Sequence, residues 1–224
     1  MENPPPPDHD ELPAGDFSVW IDAIQEAFRG EAESDVACGA CTACCTSSQF
    51  VHIAPDEVAT LSRIPHRLRF PAPGLPSGHV LLGYDEQGRC PMLVDGRCSI
   101  YEHRPRTCRT YDCRIFPAAG IEPDPTTQGA VARQVRRWRF GHPTPLDRAR
   151  HESVQAAATY LTEHPEAFPD DSGPSSPMRL AVAAIEAHGA FVTEDGDVVA
   201  DPGIDEVRIA LRRSPLRRPS DPRA

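Results

Sequence analysis

The residues best suited to chemistry are eight cysteines, Cys38, Cys41, Cys44, Cys45, Cys90, Cys98, Cys108 and Cys113, all within a stretch of 76 residues. The first four form the run Cys38-x-x-Cys41-x-x-Cys44-Cys45. A two-residue gap lets neighbouring sulfurs converge on one centre. Iron–sulfur loops take three ligands from such runs and a fourth from elsewhere, and zinc sites use one such gap per pair of ligands. Successive side chains diverge, so adjacent Cys44 and Cys45 are not expected to face one mononuclear ion together: either one is spare, or two centres lie side by side. Cys90 precedes Pro91, as in the Cys-Pro that ends bacterial ferredoxin loops. Cys98 follows the Asp95-Gly96 turn, and Cys108 and Cys113 bracket a short helix. Eight thiolates suffice for two four-sulfur sites, or for one cluster with further thiols around it. In a reducing compartment this density reads as a metal site before a disulfide framework.

Charge supports the same chemistry. A four-thiolate zinc site or an oxidised four-iron cluster carries a net charge near −2, and Arg104, Arg106, Arg109 and Arg114 surround Cys108 and Cys113. Arginines so placed can donate to sulfur and lower thiol pKa values; the alternative is that they are solvated or ion-paired. From Arg97 to Arg150 there are 11 Arg against five acids. His52 and His103 are candidate ligands or supporting groups, with local hydrogen bonding as the plainer role. The stretch Val131–Phe140 (VARQVRRWRF) interleaves Arg and Trp, which suits stacking on a single-stranded nucleic acid, but it also reads as a half-buried element with an Arg face.

These residues must be positioned by a small fold. The chain has 224 residues, 39% of them hydrophobic and 6% aromatic, with 25 Pro. That supports one domain with Pro-rich loops and ends. The net charge of −10 argues against whole-chain binding to nucleic acid or an anionic membrane. All 23 basic residues are Arg, so Lys-based mechanisms are excluded. The N-terminus has neither a basic leader nor an apolar core, and no stretch approaches the ~20 apolar residues of a membrane span. A cytoplasmic location follows as an expectation.

The spacing of Phe17, Trp20, Ile21, Ile24 and Phe28 predicts an amphipathic helix stopped at Gly30. Cys38–Cys45 reads as a loop or single turn and Phe50–Ile53 as a strand. A helix is expected from Ala54-Pro55, with Val58 and Leu61 as its buried face. Strands are expected over Val80–Tyr84, Arg89–Val94 and Arg97–Tyr101, and a short helix from Arg104-Pro105 that carries Cys108. Thr144-Pro145-Leu146-Asp147 is a capped helix start, and Ser176-Pro177 is another. Phe191-Val192 and Val198-Val199 suggest a hairpin, and Ile204–Leu211 a last helix. The expected class is α+β: a small, irregular, metal-organised domain with short helices and hairpins, plus a helical C-terminal extension. The divisions are a disordered acidic Pro-rich arm (1–15), the cysteine-cluster domain (16–140), a helical extension packed on it (141–211) and a disordered tail (212–224).

Three blocks in order, Cys38-Gly39-Ala40-Cys41-Thr42-Ala43-Cys44-Cys45, Cys90-Pro91-Met92-Leu93, and Cys98 through Arg109 (CSIYEHRPRTCR), resemble the YkgJ-type cysteine-cluster family, also called the CxxCxxCC zinc- or iron-chelating domain. The resemblance implies metal chelation, with zinc or iron, including a 4Fe-4S cluster, as the cofactor. Flagellin lysine N-methylases are similar in their cysteine block, which keeps a methyl-transfer or redox enzyme as an alternative. A structural zinc module that presents an Arg-rich face to a protein partner is a third reading. The long C-terminal extension departs from the pattern, so metal ligation carries over but no catalytic role does.

Overall fold

The computed structural model describes residues 11–34, 36, 40–168, 174, 176–193 and 195–212. The chain divides into two compact units: Met1–Gln25, Cys113–Pro123 and Arg133–Ser214 make a helical unit, and Glu26–Asp112, Asp124–Ala132 and Pro215–Ala224 a cysteine-bearing one. The class is α+β, with a helical C-terminal part. The division is not linear as expected, because the N-terminal helix and residues from Cys113 belong with the C-terminal half. The arm 1–10 and the tail 213–224 lie outside the described residues. Leu12–Gly15, assigned from sequence to the disordered arm, instead contribute to β1 (Leu12–Asp16), and Arg212 to the last helix.

In chain order the elements are β1, α1 (Phe17–Arg29), β2 (Val51–Ile53), α2 (Val58–Arg63), β3 (Arg69–Pro71), β4 (Val80–Leu82), β5 (Leu93–Val94), β6 (Arg97–Cys98), α3 (Arg106–Thr110), α4 (Ile115–Ala119), α5 (Gly129–Val135), β7 (Trp138–Gly141), α6 (Pro145–Glu163), α7 (Pro177–Ala187) and α8 (Ile204–Arg212).

In the helical unit, β1 pairs in parallel with β7, and α4, α6 and α7 pack on one another, with α8 against α7. The α1 stripe is buried as its spacing predicts: Phe17, Trp20, Ile21 and Ile24 are at most 4% exposed. Phe116, Leu161, Phe168, Ile185, Phe191 and Leu211 fill the same core, each worth roughly 1.5–3 kcal/mol of burial. Helix α6 starts in the expected capping box, with Thr144 and Asp147 bonding each other's backbone N–H groups. The buried Asp147 carboxylate also accepts the Ser18 N–H at 2.9 Å, which fixes the start of α1. The expected hairpin reduces to a single bridge, Val192 to Val198.

In the cysteine unit, β4 lies between β2 and β3, all antiparallel. Ile53, Ile64, Leu82, Met92 and Ile100 form its core, with Cys90 and Cys98 packed against it. Asp95 and Gly96, both at positive φ (50° and 72°), turn the chain between β5 and β6. Arg89–Met92 do not continue the strand expected there, because Pro91 supplies no N–H and the ladder contains only two residues on each side. Helix α2 begins at Val58, later than expected. Val58 is 69% exposed and Thr60 takes the buried place. The reason is Glu57, whose carboxylate accepts the Ala54 N–H and so closes a turn before the helix.

Candidate metal centre

The first cysteine block is a tight turn held by its own small polar residues. Ser47 Oγ donates to the Ala43 carbonyl at 2.7 Å, and Thr46 Oγ1 donates to the Thr42 and Ala43 carbonyls. The Ala43 N–H points at Cys41 Sγ, 3.5 Å away. The 3-10 turn Cys44–Thr46 then places Cys44 Sγ and Cys45 Sγ 4.0 Å apart. The two adjacent thiols therefore do not diverge as extended-chain geometry would have them do. The tight helical turn brings them together.

Backbone bonds fasten the second block to the first. The Cys90 N–H donates to the Cys45 carbonyl at 2.7 Å, and the Ser48 N–H to the Gly88 carbonyl at 2.9 Å. Gly88 is at φ +75°, and a Cβ there would collide with the Ser48 hydroxyl. The Ser99 N–H and hydroxyl both donate to the Met92 carbonyl, which ties Cys98 to the loop after Cys90. For the third block, Thr107 Oγ1 donates to the His52 carbonyl at 2.8 Å, and Glu57 Oε2 accepts the Arg106 N–H at the start of α3. These contacts anchor α3, and Cys108 with it, on β2 and the loop after it.

Three separate sequence blocks thus bring Cys44, Cys45, Cys90, Cys98 and Cys108 into each other's electrostatic field. The contact between the Cys44 and Cys45 sulfurs holds one thiol of the pair down and pushes the other up, so the two do not ionise together. Burial raises Cys90, and the neighbouring thiols add to it. Cys108 is pushed up to about 12, first by desolvation and then by Cys44, Cys90 and Cys98, with Arg104 opposing. The Cys108 residue is exposed. A set of sulfurs that resist ionising together is what a cation would relieve.

The donor set is all sulfur, which fits zinc or an iron–sulfur centre rather than magnesium or calcium. Two sulfurs on one tetrahedral zinc, at about 2.3 Å each, stand roughly 3.8 Å apart. The 4.0 Å between Cys44 and Cys45 is close to that edge. Among the described residues no three Cys, His, Asp or Glu side chains close on a single metal-sized point, and Cys38 lies outside the described residues. The seven described cysteines are free thiols.

Cys113 is placed in the helical unit, where it is buried and its sulfur accepts the Trp138 indole N–H at 3.2 Å. The arginines behave differently from the expected ring of sulfur donors. Arg106 pairs with Asp56 at 2.7 Å and Arg109 with Glu33. Arg114 donates to the Ala14 carbonyl. Arg104, stacked on Tyr101 at 4.1 Å, acts on Cys108 with its charge. Further along, Arg136 and Arg139 pair with Glu122 and Glu11, and Trp138 is 3% exposed, so its ring is not available to stack on a base. His52 bonds His79, not a sulfur. Sequence reasoning missed Glu57 and His79. A carboxylate three residues after Ala54 was a readable capping signal for Glu57, whereas nothing local links His79 to His52.

Residues 37–128 match the family model CxxCxxCC, whose description reads "Putative zinc- or iron-chelating domain". This stretch is similar to the CxxCxxCC domain. It spans less than half of the chain and includes all eight cysteines. No curated protein matches the chain, and neither does any solved structure. The CxxCxxCC match supports metal binding in general. No helix among the described residues is long and apolar enough to cross a membrane.

Proposed function

We propose that the chain is a metal-binding protein that holds zinc through thiolates of its CxxCxxCC domain, with Cys44, Cys45, Cys90, Cys98 and Cys108 as the central donors. Cys38 and Cys41 belong to the same proposal as further sulfur donors, whereas Cys113, expected from sequence to be a ligand, is buried in the helical unit with its sulfur accepting the Trp138 N–H. The observation that carries it is the 4.0 Å separation of the Cys44 and Cys45 sulfurs, nearly the edge of a zinc tetrahedron, with the Cys90 block fastened to the Cys45 carbonyl. When bound, the metal supplies a positive charge that neutralises the thiolates and cross-links loops with little core of their own. Structural zinc contributes about 10–16 kcal/mol of apparent binding energy, comparable with the stability of a whole domain. Free thiols at this density suit a reducing compartment such as the cytoplasm.

A second reading, an iron–sulfur cluster, is favoured by the number of sulfurs, which exceeds the four that one zinc requires. Purification without oxygen, followed by metal and acid-labile sulfide analysis, separates the two. A colourless protein with stoichiometric zinc is expected. A brown protein with iron and sulfide would replace zinc by a cluster, and a folded protein with neither would overturn metal binding.

A further inference from the structure

Away from the sulfurs, the cysteine unit carries a second set of metal-ligating groups. His52 on β2 and His79, just before β4, are neighbours across the sheet. Both are half-buried, their rings lie nearly parallel (12°), and His52 Nε2 is 2.9 Å from His79 Nδ1. Two nitrogens bound to one ion at about 2.1 Å and 90° stand about 3.0 Å apart, the cis geometry of a square-planar or octahedral site. Asp56 lies within electrostatic reach of His79, and Glu57 within reach of His52. Arg106 pairs with Asp56 and also acts on His52, so the two carboxylates are partly offset.

From this juxtaposition we propose that His52 and His79 form a two-imidazole site for a divalent ion of the nickel or copper class, separate from the thiol centre and completed by water. Among the described residues no three ligating side chains converge, so water must fill the remaining positions. Uptake conserves protons in the neutral pair: the hydrogen between Nε2 and Nδ1 leaves, and His52 Nδ1 and His79 Nε2 carry one each. The other close imidazole pair, His142 and His151 at 2.8 Å, differs. His151 is stacked on Phe17 at 4.3 Å, its Nε2 faces the Pro117 carbonyl, and no carboxylate among the described residues acts on it. It therefore serves as the internal control.

The test is titration of the zinc-loaded full-length protein with Ni2+, followed by calorimetry and by NMR of the histidine ring protons. One Ni2+ is expected to bind and to broaden the His52 and His79 ring signals selectively. His52→Gln and His79→Gln should each weaken this binding at least tenfold, while His142→Gln leaves it unchanged. The broadening is read on the unmodified protein, so it stands even where a variant folds poorly. Equal Ni2+ binding in the unmodified protein and both variants, or broadening at other histidines only, would overturn the site. Ni2+ captured by thiolates shows strong near-ultraviolet charge transfer that an imidazole site lacks, so failure of the thiol centre and failure of this site give different results.

Discussion

At the scale of single residues, sulfur position decides the outcome. Cys45 interacts with Cys44, Cys90 and Cys108 and gives its carbonyl to the Cys90 N–H. Cys45→Ser is therefore expected to lower bound metal and melting temperature together, as measured by metal analysis and thermal unfolding of the same preparation. Cys113→Ser should lower metal content least, since that sulfur already accepts the Trp138 N–H. Two histidines held down by burial, His151 and His188, contribute to the pH response of the helical unit. Burial holds His151 at about 4, below its usual 6.5. The unfolded chain then takes up a proton near pH 6.5 that the folded chain refuses until about pH 4. The stability this contributes is complete above pH 6.5 and is lost as pH falls towards 4. Melting temperature should decline across that window, and His151→Gln should flatten the decline. The same residue scale limited what the sequence could reveal. The cysteine spacing announced a metal site, but the closeness of Cys44 and Cys45 depends on a 3-10 turn. The His52–His79 pair joins residues 27 positions apart through strand register.

At the scale of elements, legibility followed the length of the pattern. Helix α1 was readable because four apolar residues repeat on one face, and α6 because Thr144 and Asp147 spell a cap. Strand β1 was not, since Leu-Pro-Ala-Gly-Asp has no strand pattern and its partner β7 lies more than 120 residues away. The two-residue strands β5 and β6 are too short for any periodicity, and only the Asp95-Gly96 turn betrayed them. The loop that joins Ser48 to Gly88 is the element on which the thiol cluster rests. Gly88→Ala forces a side chain into a left-handed backbone against the Ser48 hydroxyl. It should cost about 1–2 kcal/mol from the backbone conformation alone, with weaker metal retention under competition by a chelator. An unchanged chelator midpoint would show that this loop does not position the sulfurs.

At the scale of the whole molecule, the two units draw their stability from different sources. The helical unit has a conventional core, so Phe116→Ala, at a position with no exposure, should cost about 3–5 kcal/mol in chemical unfolding, with bound metal retained under conditions where the fold persists. The cysteine unit's small core is built on Ile53, Ile64, Leu82, Met92 and Ile100, and metal is proposed to supply the rest. A sequence reading could not foresee that Cys113 belongs with the helical unit and Cys108 with the other, because the division falls between residues five apart. The most direct test of thiolate metal binding is X-ray absorption at the zinc edge of the protein as purified without oxygen. A first shell made only of sulfur at about 2.3 Å is expected. A shell of nitrogen and oxygen without sulfur would contradict it.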